Sequence, residues 1–178
     1  MNGLAQTSHP TARPATPDDA PELVRLRMLM FSTLDRIQRP GPWQAACEAE
    51  LRERLGQDPT LAAYVIDASH GLAASAIGTI TRSLPAPGNP SGLSGYIQSV
   101  VTEPAYRRRG YARATTQELL AWFNQRGCCR VELHASPAAE PLYRSLGFID
   151  SPDVAMIWRP NEGLRTRLVL PTFTPHSR

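Results

Sequence analysis

Apolar side chains recur every three or four residues in some stretches and form short continuous or alternating runs in others, with prolines between them. The longest proline-free stretches are 22–39, 43–58, 60–84 and 105–136. Proline breaks helix interiors and central strands, so ordered elements belong there. Thr16-Pro17-Asp18-Asp19 supplies an N-cap, a proline at the first helical position and acids near the positive helix end. Leu23, Leu26, Met30 and Leu34 follow at helical spacing and predict a first helix. Trp43 to Leu55 predicts a second, with Ala46, Leu51 and Leu55 on an apolar stripe and Gly56 as its stop. Leu61 to Ile66 and Ala73 to Ser83 read as an antiparallel strand pair turning at Ser69-His70-Gly71. Leu84 to Gly92, rich in proline and glycine, reads as a loop leading into the strand Tyr96 to Val101. A helix over 111–126 carries Ala112, Thr116, Leu119, Leu120 and Phe123 on one side and ends at Gly127. Arg130 to Ala135 predicts a strand, Ala138 to Leu146 a short helix ended by Gly147, and Val154 to Trp158 a last strand. The order is mixed α+β, with a β-α-β unit that sets strands 96–101 and 130–135 parallel.

With 178 residues and 42% hydrophobic content, the chain has the size and composition of one folded domain, and disorder is excluded. The expected boundaries are a flexible segment 1–10, one domain over 11–170 and a flexible tail 171–178. Cys47, Cys128 and Cys129 are too few for a disulfide framework; buried thiols in a reducing, cytoplasmic compartment are expected. No apolar run approaches the length of a membrane span, and the N-terminus lacks a signal-peptide core. His9, His70, His134 and His176 have no metal-ligand spacing with the cysteines, so no metal is expected.

Charge matters through its placement. All 19 basic residues are arginine, and against 16 acids they leave a net charge of only +3. Four of them fall in Arg107-Arg108-Arg109-Gly110-Tyr111-Ala112-Arg113, at the junction of a loop and a helix start. Open backbone N–H groups, the positive end of the helix dipole and a glycine that admits close approach make such a junction an anion site. Arginine adds charge-assisted hydrogen bonds to phosphate. A P-loop is excluded because it needs lysine, and there is no G-x-G-x-x-G after a strand. Nucleic-acid binding by these arginines, with Tyr106 and Tyr111 for stacking, is disfavoured because a net charge of +3 provides no extended basic face.

Arg107-x-x-Gly110-x-Ala112, preceded by Thr102-Glu103-Pro104-Ala105-Tyr106, resembles the central Gln/Arg-x-x-Gly-x-Gly/Ala motif of the GNAT superfamily of acyl-coenzyme A N-acyltransferases. Leu142-Tyr143-Arg144-Ser145-Leu146-Gly147-Phe148 resembles the family's Leu-Tyr-x-x-x-Gly-Phe, and Arg13 to Asp19 resembles its start, so the resemblance spans about residues 12–158. It implies a GNAT-like fold, a mixed α/β sheet flanked by helices and split in a V between strands 96–101 and 130–135. By the same resemblance acetyl-CoA is the cosubstrate. Its pyrophosphate would lie on Arg107, Arg108, Arg109, Gly110, Tyr111, Ala112 and Arg113, and its pantetheine on the backbone of Val100, Val101 and Thr102. A backbone N–H near Val100 or Val101 would hold the oxyanion of a tetrahedral intermediate.

Tyr143 matches the family's general acid, which protonates the departing thiolate. The base is open among Glu103, Glu132, His134 and a water chain. Strand alternation puts Glu132, His134 and Ser136 on one face. Ser136 stands where many relatives carry asparagine; with Pro137 it reads as a helix cap. A primary amine would approach over the first two helices and the 84–92 loop, near Phe31, Asp35, Trp43, Glu48 and Glu50. The implied function is acetyl transfer to that amine by direct attack; the alternative is a non-enzymatic acyl-CoA sensor or scaffold. Relatives are often dimers, so a homodimer belongs to the resemblance, although no apolar patch in the sequence selects an oligomeric state.

Overall fold

The computed structural model describes residues 10–33, 41–152 and 155–158. The apolar runs form a five-stranded sheet in the order β1-β2-β3-β4-β5: β1 (Arg13–Pro14), β2 (Leu61–Asp67), β3 (Leu72–Arg82), β4 (Leu93–Thr102) and β5 (Arg130–Glu132). The first three pairings are antiparallel and β4–β5 is parallel. Helices α1 (Ala20–Thr33), α2 (Pro42–Arg54), α3 (Tyr111–Gln125) and α4 (Glu140–Ser145) complete a mixed α/β fold. The chain divides into two units, residues 1–146, which hold all these elements, and residues 147–178.

The sheet is covered on both faces. Leu23 and Leu26 of α1 and Leu51 of α2 pack with Leu61, Ala63, Val65, Ile77 and Val101. On the other face α3 buries Leu119 and Phe123, and a Cβ on Gly78 or Gly95 would come within 2.5 or 2.6 Å of the Phe123 ring. Glycine at both positions is therefore what lets α3 lie close to the β3–β4 pair. Ala46, expected on the buried stripe of α2, is exposed, and Cys47 packs against the core in its place. The thiols are also less buried than expected: Cys129 is exposed, and Cys47 and Cys128 are half-buried.

β4 carries a bulge that decides the site. Ile77 pairs with Ser99 but Gly78 pairs with Ile97, so Gln98 is an extra residue without a partner. The inserted residue exchanges the faces: Gly95 looks at Phe123, whereas Val101 belongs to the core under α1. Residues 95, 97, 99 and 101 are all buried, on two different sides. Bulges bend the strand that carries them, and the parallel ladder to β5 ends just before this one. Ser94, Gly95 and Tyr96 pair with Arg130, Val131 and Glu132, and no further pair forms. The sheet is thereby split as a V.

Three expected elements change for this reason or related ones. The strand expected over Arg130–Ala135 stops at Glu132, because β4 turns away and leaves 133–135 without a ladder partner. The helix expected from Ala138 begins at Glu140, since the Ser136 carbonyl accepts from both Ala139 (2.9 Å) and Glu140 (3.0 Å) in a preceding turn. Residues 155–158 form no strand, no ladder partner being present among the described residues; Val154 lies outside them. Leu34, Asp35, the expected flexible segment up to residue 9 and the expected tail also lie outside the described residues.

Ion pairs tie the start of α1 to the sheet. Arg13 of β1 donates to Asp19 at 2.8 and 2.9 Å and to Asp67 at 2.7 and 2.8 Å. Glu22 accepts from Arg25 at 2.9 Å and from the Leu72 N–H at 2.9 Å. Arg13 holds the Asp19 carboxyl below its ordinary pKa, and Arg25 does the same for Glu22. Both folded-state values lie below the unfolded ones, so this stabilisation is complete above the unfolded values and is lost as pH falls through the folded ones. Thermal melting should show a midpoint that is level above about pH 5 and declines below about pH 4. Asp19→Asn should flatten part of that decline. A midpoint that rises on acidification would contradict the assignment.

Candidate active site: a cleft at the split of the sheet

The split leaves one edge of β4 open beyond Tyr96. The Glu103 N–H donates to the Ala73 carbonyl at 2.9 Å, so alternation turns the peptide groups of Val101 toward β3 and those of Val100 and Thr102 toward the open side. The Thr102 carbonyl accepts there from Arg107 Nε at 3.3 Å, while Thr102 Oγ1 is buried without a partner.

The open edge runs into the start of α3. Gly110 caps the helix with φ +81°, and Arg108 also lies in the left-handed region at φ +64°. The first helical bond is Ala114 N–H to Gly110 O at 3.0 Å. The N–H groups from Arg108 to Arg113 thus have no backbone acceptor among the described residues, an arrangement that attracts anions. Tyr106 and Tyr111 stack with centroids 6.0 Å apart, and Arg109 lies over Tyr106 at 5.4 Å.

One cleft of about 1110 Å³ joins these features. Val100, Val101, Thr102, Arg107, Arg108, Gly110, Tyr111, Ala112 and Arg113 all line it; Arg109, turned onto Tyr106, does not. The opposite wall comes from Leu29, Met30 and Thr33 of α1 and from Ser136 to Ala139, Pro141, Leu142 and Ser145 around α4. Ser145 Oγ accepts from Arg113 Nη2 at 2.7 Å, a bridge between α3 and α4. Sequence reasoning missed most of this second wall. Met30 reads as an ordinary core position, and nothing local links residues 113 and 145. The open N–H groups, the open strand edge and the orphaned Thr102 hydroxyl fit an elongated ligand with a phosphate end and amide groups.

The expected catalytic residues are placed differently. Tyr143 is on α4, its side chain buried and off the cleft wall, and burial pushes its phenol above the ordinary pKa, so it stays protonated at neutral pH. His134 lies beyond the end of β5, where strand alternation no longer orients it; it is exposed, with its ring edge-on to Tyr96 at 6.0 Å, and does not line the cleft. Glu103 is ion-paired with Arg25, and Glu132 with Arg130 at 2.8 Å. On the amine side Phe31 and Trp43 meet edge to face at 5.5 Å. Glu48 and Glu50 pair with Arg52 and Arg54 one helical turn away, as solvated helix faces do.

The model of the acetyltransferase (GNAT) family matches residues 28–148, two thirds of the chain, including both walls of the cleft. The chain belongs to this family. A predicted acetyltransferase from Clostridium acetobutylicum, solved with acetyl-CoA, superposes with a TM-score of 0.73 at 22% identity, covering 83% of this chain and 94% of that one. A GCN5-related N-acetyltransferase from Ralstonia eutropha JMP134 gives a TM-score of 0.68 at 26% identity, covering 83% of this chain and 97% of that one. Glucosamine 6-phosphate N-acetyltransferase of Trypanosoma brucei brucei is 37% identical over 54 residues, 30% of this chain and 37% of that protein. The chain spans about a third of the length of the curated relatives it matches. The V-split sheet expected from the GNAT resemblance is the one observed. Among the described residues no helix is long and apolar enough to cross a membrane, and no cluster of three or more His, Cys, Asp or Glu is placed to hold a metal.

Proposed function

We propose that this protein transfers the acetyl group of acetyl-CoA to a primary amine by direct attack. The observation that carries this reading is the continuity, in one cleft, between the open edge of β4 and the unsatisfied N–H groups at the start of α3. Bound there, acetyl-CoA supplies a thioester: the amine nitrogen bonds to its carbonyl carbon, the C–S bond breaks, nitrogen gives up a proton and sulfur takes one.

Each part of the chain has a share in this. The N–H groups from Arg108 to Arg113, with the side chains of Arg107, Arg108 and Arg113, hold the pyrophosphate. The outward peptide groups of Val100 and Thr102 pair with pantetheine amides in place of a neighbouring strand, and the Val100 N–H is the donor aimed toward the reacting carbonyl. The GNAT resemblance supports Tyr143, buried on α4 next to the lining residue Leu142, as the group that gives its proton to the sulfur. Water takes the amine proton, because Glu103 and Glu132 are each engaged by an arginine and His134 is exposed beyond the end of β5. His134→Ala should then leave the pH profile of kcat/KM superimposed on that of the wild type within about threefold; loss of its acidic limb would make His134 the base.

The test of the function itself is release of coenzyme A from acetyl-CoA with polyamines, aminoglycosides, amino sugars, amino acids and peptide N-termini. Amine-dependent release is the expected result. Tight acetyl-CoA binding without release for any amine would favour the sensor or scaffold.

A further inference from the structure

Four arginines lie on α1 and α2, and three are neutralised: Arg25 by Glu22 and Glu103, Arg52 by Glu48, and Arg54 by Glu50 and Asp58. Arg27 is the exception. It is half-buried, has no carboxylate partner among the described residues, and makes one hydrogen bond, from Nη1 to Ser99 Oγ at 3.3 Å. Its guanidinium carbon lies 5.6 Å from the centre of the Phe31 ring, and its Nε is buried without an acceptor. Phe31 also meets Trp43 edge to face, and the Trp43 indole nitrogen is likewise buried without an acceptor. Two groups that can only donate therefore contact one aromatic ring, and the positive charge has no carboxylate partner among the described residues. Burying such donors unpaired is costly, and the group that relieves them must accept hydrogen bonds and carry negative charge. Arg27 stands one turn along α1 from Met30, which lines the cleft, and bonds to Ser99, two residues along β4 from Val101, which lines it too; Arg27, Phe31 and Trp43 lie next to that lining rather than on it.

We propose that the acceptor amine carries an anionic group, a carboxylate or a phosphate, held by Arg27 with the Trp43 indole N–H as second donor and Phe31 as the apolar wall. This rests on the acetyl-transfer reading above and adds the substrate class to it. Arg27 selects the acceptor by its charge and is distinct from the arginines that serve coenzyme A.

The experiment compares matched acceptors: glucosamine 6-phosphate against glucosamine, and leucine against leucinamide. Wild-type kcat/KM should favour the anionic member of at least one pair by about 10- to 100-fold, the strength of a charged hydrogen bond. The pair showing it identifies phosphate or carboxylate. Arg27→Met should bring that ratio close to one, and Arg27→Lys should restore part of it. Trp43→Phe, which keeps an aromatic ring, should lower the ratio severalfold. Coenzyme A affinity reports whether each variant is folded, so if Arg27→Met fails, the lysine and Trp43 variants carry the test. Equal rates within both wild-type pairs, or a preference that survives replacement of Arg27, would overturn the proposal. If no amine is acetylated, calorimetry of glucosamine 6-phosphate and leucine on the coenzyme A-loaded protein decides. Binding that Arg27→Met abolishes keeps the anion site while the acetyl-transfer reading falls, and absence of binding removes the site.

Discussion

Tyr143→Phe should lower kcat by about 100- to 10,000-fold, the usual contribution of a positioned general acid, and should leave acetyl-CoA affinity within about twofold. Sulfur departs from the thioester as a thiolate, and a proton delivered as it leaves neutralises the developing charge and prevents its return to the carbonyl. A phenol suits that step because burial raises the Tyr143 pKa and keeps the proton on it across the neutral range. The same shift means that deprotonation of Tyr143 produces no fall in kcat across the neutral and mildly alkaline range. Phenylalanine preserves the ring, which is buried on α4 beside the wall formed by Leu142 and Ser145, so the fold and the cofactor cleft should persist. Steady-state kinetics with an active amine, together with calorimetric titration of acetyl-CoA, measure the two quantities separately. An unchanged kcat would remove Tyr143 from the mechanism; a parallel loss of affinity would make its role structural.

The second large effect is on stability. Phe123→Ala should cost about 3–5 kcal/mol, the range for deleting a buried phenylalanine, out of the roughly 5–15 kcal/mol that hold a domain folded. Phe123 is 0% exposed and fills the space that Gly78 and Gly95 leave open, so two strands and a helix lose contact at once. The neighbours cannot collapse into the gap easily, because the glycines have no side chains to move. A fall in Tm of roughly 10 °C follows for a chain of this size. Gly95→Ala should destabilise by about 1–3 kcal/mol from the opposite direction, since its Cβ would lie 2.6 Å from the ring and force an overpacked core. Thermal denaturation of the two variants measures both effects, and a Tm within about 3 °C of wild type for Phe123→Ala would contradict this account. Because Phe123 anchors α3, the variant should also bind acetyl-CoA more weakly at the far end of that helix.

Much of the fold is visible in local signals. Prolines bound the elements, and helical spacing locates α1, α2 and α3 to within a few residues, because burial of one helix face imposes its period on the chain. The anion site at Arg107 to Arg113 is legible for the same kind of reason: a left-handed glycine followed by a helix start is a local conformation, and Gly110 adopts it at φ +81°. The bulge at Gln98 is not legible. Residues 95, 97, 99 and 101 keep an uninterrupted alternation while the chain exchanges faces beneath it, since both faces of the sheet are covered and both want apolar or small residues. The end of β5 is equally silent, as Leu133 to Ala135 have strand-like character and lose only their partner.

For the site the division runs between backbone and side-chain geometry. Arginine placement and the two GNAT motifs, read from residues close in the chain, are enough to nominate the cofactor cleft and Tyr143. The far wall is set by approach in space: Met30 and Thr33 face a cleft shared with residues more than a hundred positions away, and Arg113 meets Ser145. The folded chain also separates residues that look alike in sequence. Glu103 and Glu132 are occupied by arginines, His134 lies off the cleft, and of the α1 and α2 arginines Arg27 alone has no carboxylate partner among the described residues. Short-range sterics and periodic burial write element type and helix-start chemistry into consecutive residues. Partnership of charges and the path of a bent strand depend on contacts between distant segments, so they exist only once the chain has packed.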